Sequence, residues 1–195
     1  FQSAVDTKHH LIVSHDIVQS TDRGYLTLVA EQVQKALNKK DITFIADKGD
    51  FSRLDIKTLQ DSGAKALVPH TDTSGSKTKG IFNKSRFKYN KEKDVYTCPA
   101  NNELPYRSDS MEKGIQLKVY VGHIACRDCS IRSQCTTSSN EPRKMRRWIH
   151  EEMIDDMQAR LNAAPETVII RKQTVEHPFG SIKMWMGSTH FLMRR

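Results

Sequence analysis

No uninterrupted apolar stretch in these 195 residues approaches the ~18 needed to cross a bilayer, which excludes a helical membrane protein. The N-terminus has none of the charged, apolar and small-residue succession of a secretory leader, so a cytoplasmic protein with no membrane partner is expected. Cysteine is scarce, with four residues in all. The chain opens on Phe1 and closes on Met193-Arg-Arg195, and is expected to be a piece of a longer reading frame. What is present is otherwise ordinary for a globular protein, and the length favours one domain with an insertion.

The charge is uneven. The net +8 arises entirely after residue 70, because residues 1–70 hold equal numbers of basic and acidic side chains. Clustered cations gain affinity for a polyanion by releasing its condensed counterions. DNA is therefore the expected partner, against the plainer reading of a solvated basic face.

Hydrophobic spacing predicts the elements. Residues 1–18 read as two strands in a hairpin. Leu26, Val29, Ala30, Val33 and Leu37 recur at helical spacing over residues 23–38, with Ser20, Thr21 or Asp22 as cap. A strand over 42–46, a helix over 52–61 with Leu54 and Leu59 inward, and a strand over 66–68 complete an α/β pattern. Residues 70–142 change texture: a Ser/Thr/Gly/Lys-rich loop over 71–79, a strand or hairpin over 81–96, and strict alternation of Ile115, Leu117, Val119 and Val121 in a half-buried strand. Met145, Ile149, Met153, Met157 and Leu161 predict a helix that stops at Pro165. A last helix over 167–185 has to accommodate Pro178, so a kink or fresh start just after Glu176 is expected.

Two acids stand out. Asp47 ends the apolar run Ile42-Thr-Phe-Ile-Ala46, and the C-terminal end of such a strand is where open α/β sheets hold ligands. Glu176 lies in Thr174-Val-Glu-His-Pro-Phe-Gly-Ser-Ile-Lys183, seven residues before Lys183 in basic surroundings, which suggests metal-assisted chemistry on phosphate. The acids Glu151, Glu152, Asp155 and Asp156 read instead as the solvated side of a helix.

Three further features concern binding. Cys98, Cys126-Arg-Asp-Cys129 and Cys135 fit either a structural Zn2+ site or four reduced thiols; His123 is a substitute ligand or a strand-end histidine. Lys77 to Lys93, including Lys84, Arg86 and Lys88, interleave with Phe82, Phe87 and Tyr89. The lysines are assigned to DNA, and the aromatics either stack on bases or form the buried face of a hairpin. Arg143, Lys144, Arg146 and Arg147, placed at a helix start where cations gain nothing, are also assigned to DNA.

Together, the hairpin strands Gln2-Ser-Ala-Val-Asp6 and Lys8-His-His-Leu-Ile-Val13, the Ala46-Asp-Lys-Gly49 run, Tyr96-Thr-Cys-Pro99 and Val175-Glu-His-Pro-Phe-Gly180 resemble DDE transposases of bacterial insertion sequences. The group resembled has a ribonuclease H-like catalytic domain interrupted by a cysteine-bearing insertion. The resemblance implies an α/β fold with a mixed sheet and flanking helices: residues 1–69 as its first part, 70–142 as a β-rich insertion, and 143–195 as its helical end. It implies that Asp47 and Glu176 are the second and third acids of a triad holding two Mg2+ or Mn2+ ions for DNA cleavage and strand transfer. Lys183, with Arg171 and Lys172, would contact DNA phosphate, and a homodimer would act on paired ends.

The chain departs from the family pattern in three places. Lys172 and Ile169 stand where arginine and tyrosine are usual, Asp50 replaces a common tyrosine, and the first catalytic aspartate belongs to a strand that would precede Phe1. Two other functions therefore compete: a DNA-binding remnant without catalysis, stabilised by zinc, and a nuclease of the same fold that hydrolyses without joining strands.

Overall fold

A computed structural model describes residues 2–17, 24–70, 75, 76 and 78–187. The expected caps Ser20, Thr21 and Asp22, together with Lys77, fall outside this set. The chain divides into two compact units, residues 1–70 with 153–195, and residues 71–152. The second unit thus extends past the boundary expected at residue 142.

In the first unit, β1 (Gln2–Val5) and β2 (Ile12–Asp16) pair antiparallel, with a register shift between Ala4 and Val5. Their turn is tied by Asp6, whose carboxylate accepts from the His9 backbone N–H at 2.6 Å. Helix α1 (Leu26–Leu37) buries Val29, Ala30 and Val33 and ends at Asn38, whose φ of 48° closes the helix in the left-handed region. Asparagine tolerates that conformation better than most residues. Strand β3 (Thr43–Ile45) runs parallel to β4 (Lys65–Leu67), a pairing that needs a crossover such as the helix between them. Helix α2 (Arg53–Asp61) between them is capped by the Ser52 hydroxyl.

The buried residues of α2 are Ile56 and Leu59, each 2 % exposed, whereas Leu54 is 51 % exposed. The expected inward role of Leu54 is thus corrected: at about 100° per residue, it lies on the far side of the helix from Ile56. The single mixed sheet of the sequence reading is also absent among the described residues. The pairs β1–β2 and β3–β4 form separate sheets, and a cavity of about 220 Å3, lined by Ala4 and Val5 on one side and Phe44 and Ile45 on the other, lies between β1 and β3.

The second unit is a five-stranded antiparallel sheet in chain order: β5 (Lys88–Asn90), β6 (Val95–Thr97), β7 (Glu103–Glu112), β8 (Ile115–Val121) and β9 (Lys144–Trp148). The β7–β8 hairpin turns on Lys113 and Gly114, both at positive φ, the geometry that matches strand twist in a two-residue loop. The alternation in β8 buries Leu117, Val119 and Val121, but Tyr120 on the opposite face is fully buried too. That face is covered by Phe87, Tyr96, Leu104 and Met145. Phe87 therefore serves the core, as the buried-hairpin reading of the aromatics requires.

Residues 144–148 are a strand, which corrects the helix expected from Met145. The spacing of four between Met145, Ile149 and Met153 is coincidental across a strand and a turn. Met145 opposes Tyr120 in the β8–β9 ladder, and helix α4 (Glu151–Ala163) starts only after the turn at Ile149-His150. The Glu151 carboxylate accepts from the Trp148 backbone N–H at 3.1 Å. Farther along α4, Ile154, Met157 and Leu161 are buried.

Helix α5 (Glu166–Met184) belongs to the first unit and runs continuously through Pro178, without the fresh start expected after Glu176. Pro178 is buried, which offsets part of the hydrogen bond its ring removes. Among the described residues, no helix is long and apolar enough to cross a membrane.

Candidate active-site cleft and nucleic-acid contacts

Asp47 sits one residue past the buried Ala46, just beyond the C-terminal end of β3. It caps a single 3-10 turn, Lys48–Asp50: its Oδ1 accepts from the Lys48 N–H at 2.8 Å, and Asp50 Oδ2 accepts from the Asp47 N–H at 3.2 Å. Asp50, which departs from the family pattern, thus has a structural role in a reciprocal cap. The signal was readable as an acid three residues after an acid at a strand end.

Across the cleft, the Arg171 guanidinium of α5 lies 3.5 Å from Asp47 Oδ2. The cleft has a volume of about 310 Å3; β1 contributes Ser3 and Ala4, the β3 end contributes Asp47, Gly49 and Asp50, and α5 contributes Arg171, Val175 and Phe179. Those three α5 residues are four apart and so share one face. Lys172, Glu176 and Lys183 fall within about 40° of one another on the adjoining face, and all three are exposed. One helix therefore presents Arg171 to the cleft and, beside it, a stripe with Glu176 between two lysines.

Carboxylates suit a hard divalent cation in kind, but they are too few here to hold one alone. Asp47 already engages Lys48 N–H and Arg171, and among the described residues no group of three or more His, Cys, Asp or Glu side chains is assembled for a metal. The acids of α4 form no such group either. Glu151 is buried and pairs with Lys84 at 2.7 Å, while the exposed Glu152 pairs with Lys91.

The cations assigned to DNA divide into two sets. Lys84 is committed to Glu151, Arg146 lies 3.0 Å from Glu112, and Arg147 stacks 3.9 Å from the centre of the Tyr89 ring. Because 144–148 is a strand, the helix-start argument for Arg143, Lys144, Arg146 and Arg147 falls away. Arg143 donates to the backbone carbonyls of Cys135 and Phe82. Arg86, Lys88, Lys172 and Lys183 are exposed, as is Arg146.

One polar centre had no counterpart in the sequence reading. Asp94 Oδ1 accepts from Tyr120 Oη at 2.6 Å and Tyr89 Oη at 2.7 Å, and its Oδ2 accepts from Lys118 Nζ at 3.1 Å. Hydrogen bonds from Tyr120 and then Tyr89 pull its carboxyl down to about 2, while burial pushes both phenols up.

The four cysteines, none in a disulfide, line one small cavity of the second unit.

No curated protein and no solved structure matches this chain. The family described as "Transposase DDE domain" matches residues 97–194, a stretch that contains Glu176, Lys183 and all four cysteines but not Asp47. The match spans half of the sequence, and DNA is the partner it implies. The chain belongs to the transposase DDE domain family.

Proposed function

We propose that the first unit is the catalytic part of a DNA transposase that cleaves DNA and transfers strands. The observation that carries this reading is Asp47 at the end of a parallel strand, facing a cleft walled by the helix that bears Glu176. Asp47 and Glu176 are the carboxylates that would contribute to holding Mg2+ or Mn2+, which when bound activates a nucleophile and stabilises charge on phosphate. Arg171 pairs with Asp47 and holds it in place. Lys172 and Lys183, on either side of Glu176, bind backbone phosphate and orient the scissile strand.

A ribonuclease H-like architecture is part of the same reading. The strands β1 and β3 flank open space lined by both; one strand added between them would join the two sheets into a single mixed sheet and end near Asp47. A third carboxylate on that strand would complete a metal site that Asp47 and Glu176 leave short.

Nicking of supercoiled plasmid by the protein, with Mg2+ or Mn2+, tests the proposal. Nicking is expected in the parent and lost in both Asp47→Ala and Glu176→Ala, with DNA binding retained. Binding with no metal-dependent nicking in the parent would favour a non-enzymatic DNA-binding protein instead. Hydrolysis without joining, measured with a labelled 3′-end, would favour a simple nuclease.

A further inference from the structure

The cysteines come from separate places in the second unit. Cys98 follows β6 in a turn closed by the Asn101 N–H donating to the Cys98 carbonyl at 2.9 Å and by the Cys98 N–H donating to the Asn102 carbonyl at 2.9 Å, with Asn101 at φ 59°. Cys126 lies in the short helix His123–Arg127, Cys129 in the turn after it, and Cys135 just past the 3-10 turn Arg132–Gln134. Despite this dispersal, all four line a single cavity of about 20 Å3. That volume admits about one water-sized sphere, so it suits a single ion and excludes an organic ligand.

We propose that Cys98, Cys126, Cys129 and Cys135 bind one Zn2+, and that this ion ties the segment 122–136 to the end of the sheet at β6. Four thiolates with a Cys-x-x-Cys pair among them match the tetrahedral sulfur coordination zinc prefers. A divalent cation bound among them would hold the sulfurs as thiolates, because a coordinating thiol is deprotonated.

The flanking arginines do not fill the role. Arg132 Nη2 donates to the Ser139 carbonyl at 2.6 Å and Arg143 Nη1 to the Cys135 carbonyl at 3.3 Å, so both hold backbone in place. The thiols are not assembled as a metal group among the described residues; the ion would draw them together, as metal binding and local folding do in small metal-held modules. Cys98 belongs to the sheet core, and Cys135 packs against it, so closing the site would fix a loop-rich segment to that core. The zinc site stands or falls independently of the chemistry proposed for the first unit.

The test is metal analysis of the full chain, purified under reducing conditions without chelator. About one zinc per chain is expected, lost in Cys126→Ser/Cys129→Ser and retained in His123→Ala. Because the double variant can misfold, the parent is also loaded with Co2+; intense visible bands and thiolate-to-cobalt charge transfer are expected from tetrahedral sulfur ligation. Metal-free parent protein, a weak octahedral cobalt spectrum, or full zinc content in the double variant would each overturn the proposal.

Discussion

The Asp47 carboxylate and the Arg171 guanidinium face each other at 3.5 Å, joining the end of β3 to the middle of α5. The two side chains are 53 % and 27 % exposed, so solvent screening limits the pair to about 1 kcal/mol or less of stability. Its value is positional: it holds the acid and the helix bearing Glu176 on one cleft.

Arg171→Met is therefore expected to leave the unfolding free energy within about 1 kcal/mol of the parent and to reduce nicking by about 10-fold or more, as loss of a preorganised charge does. Thermal melts and plasmid nicking on the same preparations check this. Unchanged nicking would reduce the pair to an incidental surface contact.

Lys84 behaves differently from its neighbours. Its partner Glu151 has a side chain only 9 % exposed, and Lys84→Met leaves that carboxylate without its cation. Breaking a fully buried pair costs about 3–5 kcal/mol; with Lys84 itself 37 % exposed, about 1–3 kcal/mol is expected. Chemical denaturation measures it, and a loss below a few tenths would show that Glu151 is adequately held by its other contacts, the Trp148 N–H among them.

Arg86 and Lys88 are exposed, so Arg86→Gln/Lys88→Gln should spare stability and weaken DNA binding. If each cation neutralises one phosphate, the slope of log K against log salt falls by about 2. A salt titration of binding to a duplex reads that slope directly, and an unchanged slope would remove this segment from the interface.

Asp94 sets an acid limit on the second unit. Its carboxyl is depressed from 3.8 to about 2 in the folded protein, so its stabilisation is present above about pH 4 and is lost as pH falls through about 2. The group is 39 % exposed, which discounts the contribution to about 1 kcal/mol. Asp94→Asn should be less stable than the parent by that amount at pH 6, with the two converging as the pH approaches 2. A gap that persists undiminished at pH 2 would assign the effect to packing rather than to charge.

What the sequence determined alone is local. The apolar stripe of α1, the Ser52 cap, the alternation of β8 and the β1–β2 hairpin follow from periodicity and capping, which act over a few residues. Asp47 was legible at the end of β3 because a strand end is itself a local feature. Tertiary structure decided the rest. Residues 144–148 became a strand because β8 offered them a hydrogen-bonded edge, overriding a spacing that suits a helix equally well. Lys84, Arg146 and Arg147 are assigned to DNA along the chain, and only folding gives them partners distant in sequence: Glu151, Glu112 and Tyr89. Likewise, only folding brings Arg171 to Asp47 and gathers two tyrosines and a lysine around Asp94, because pairing between residues far apart in the chain leaves no mark on the periodicity of either segment.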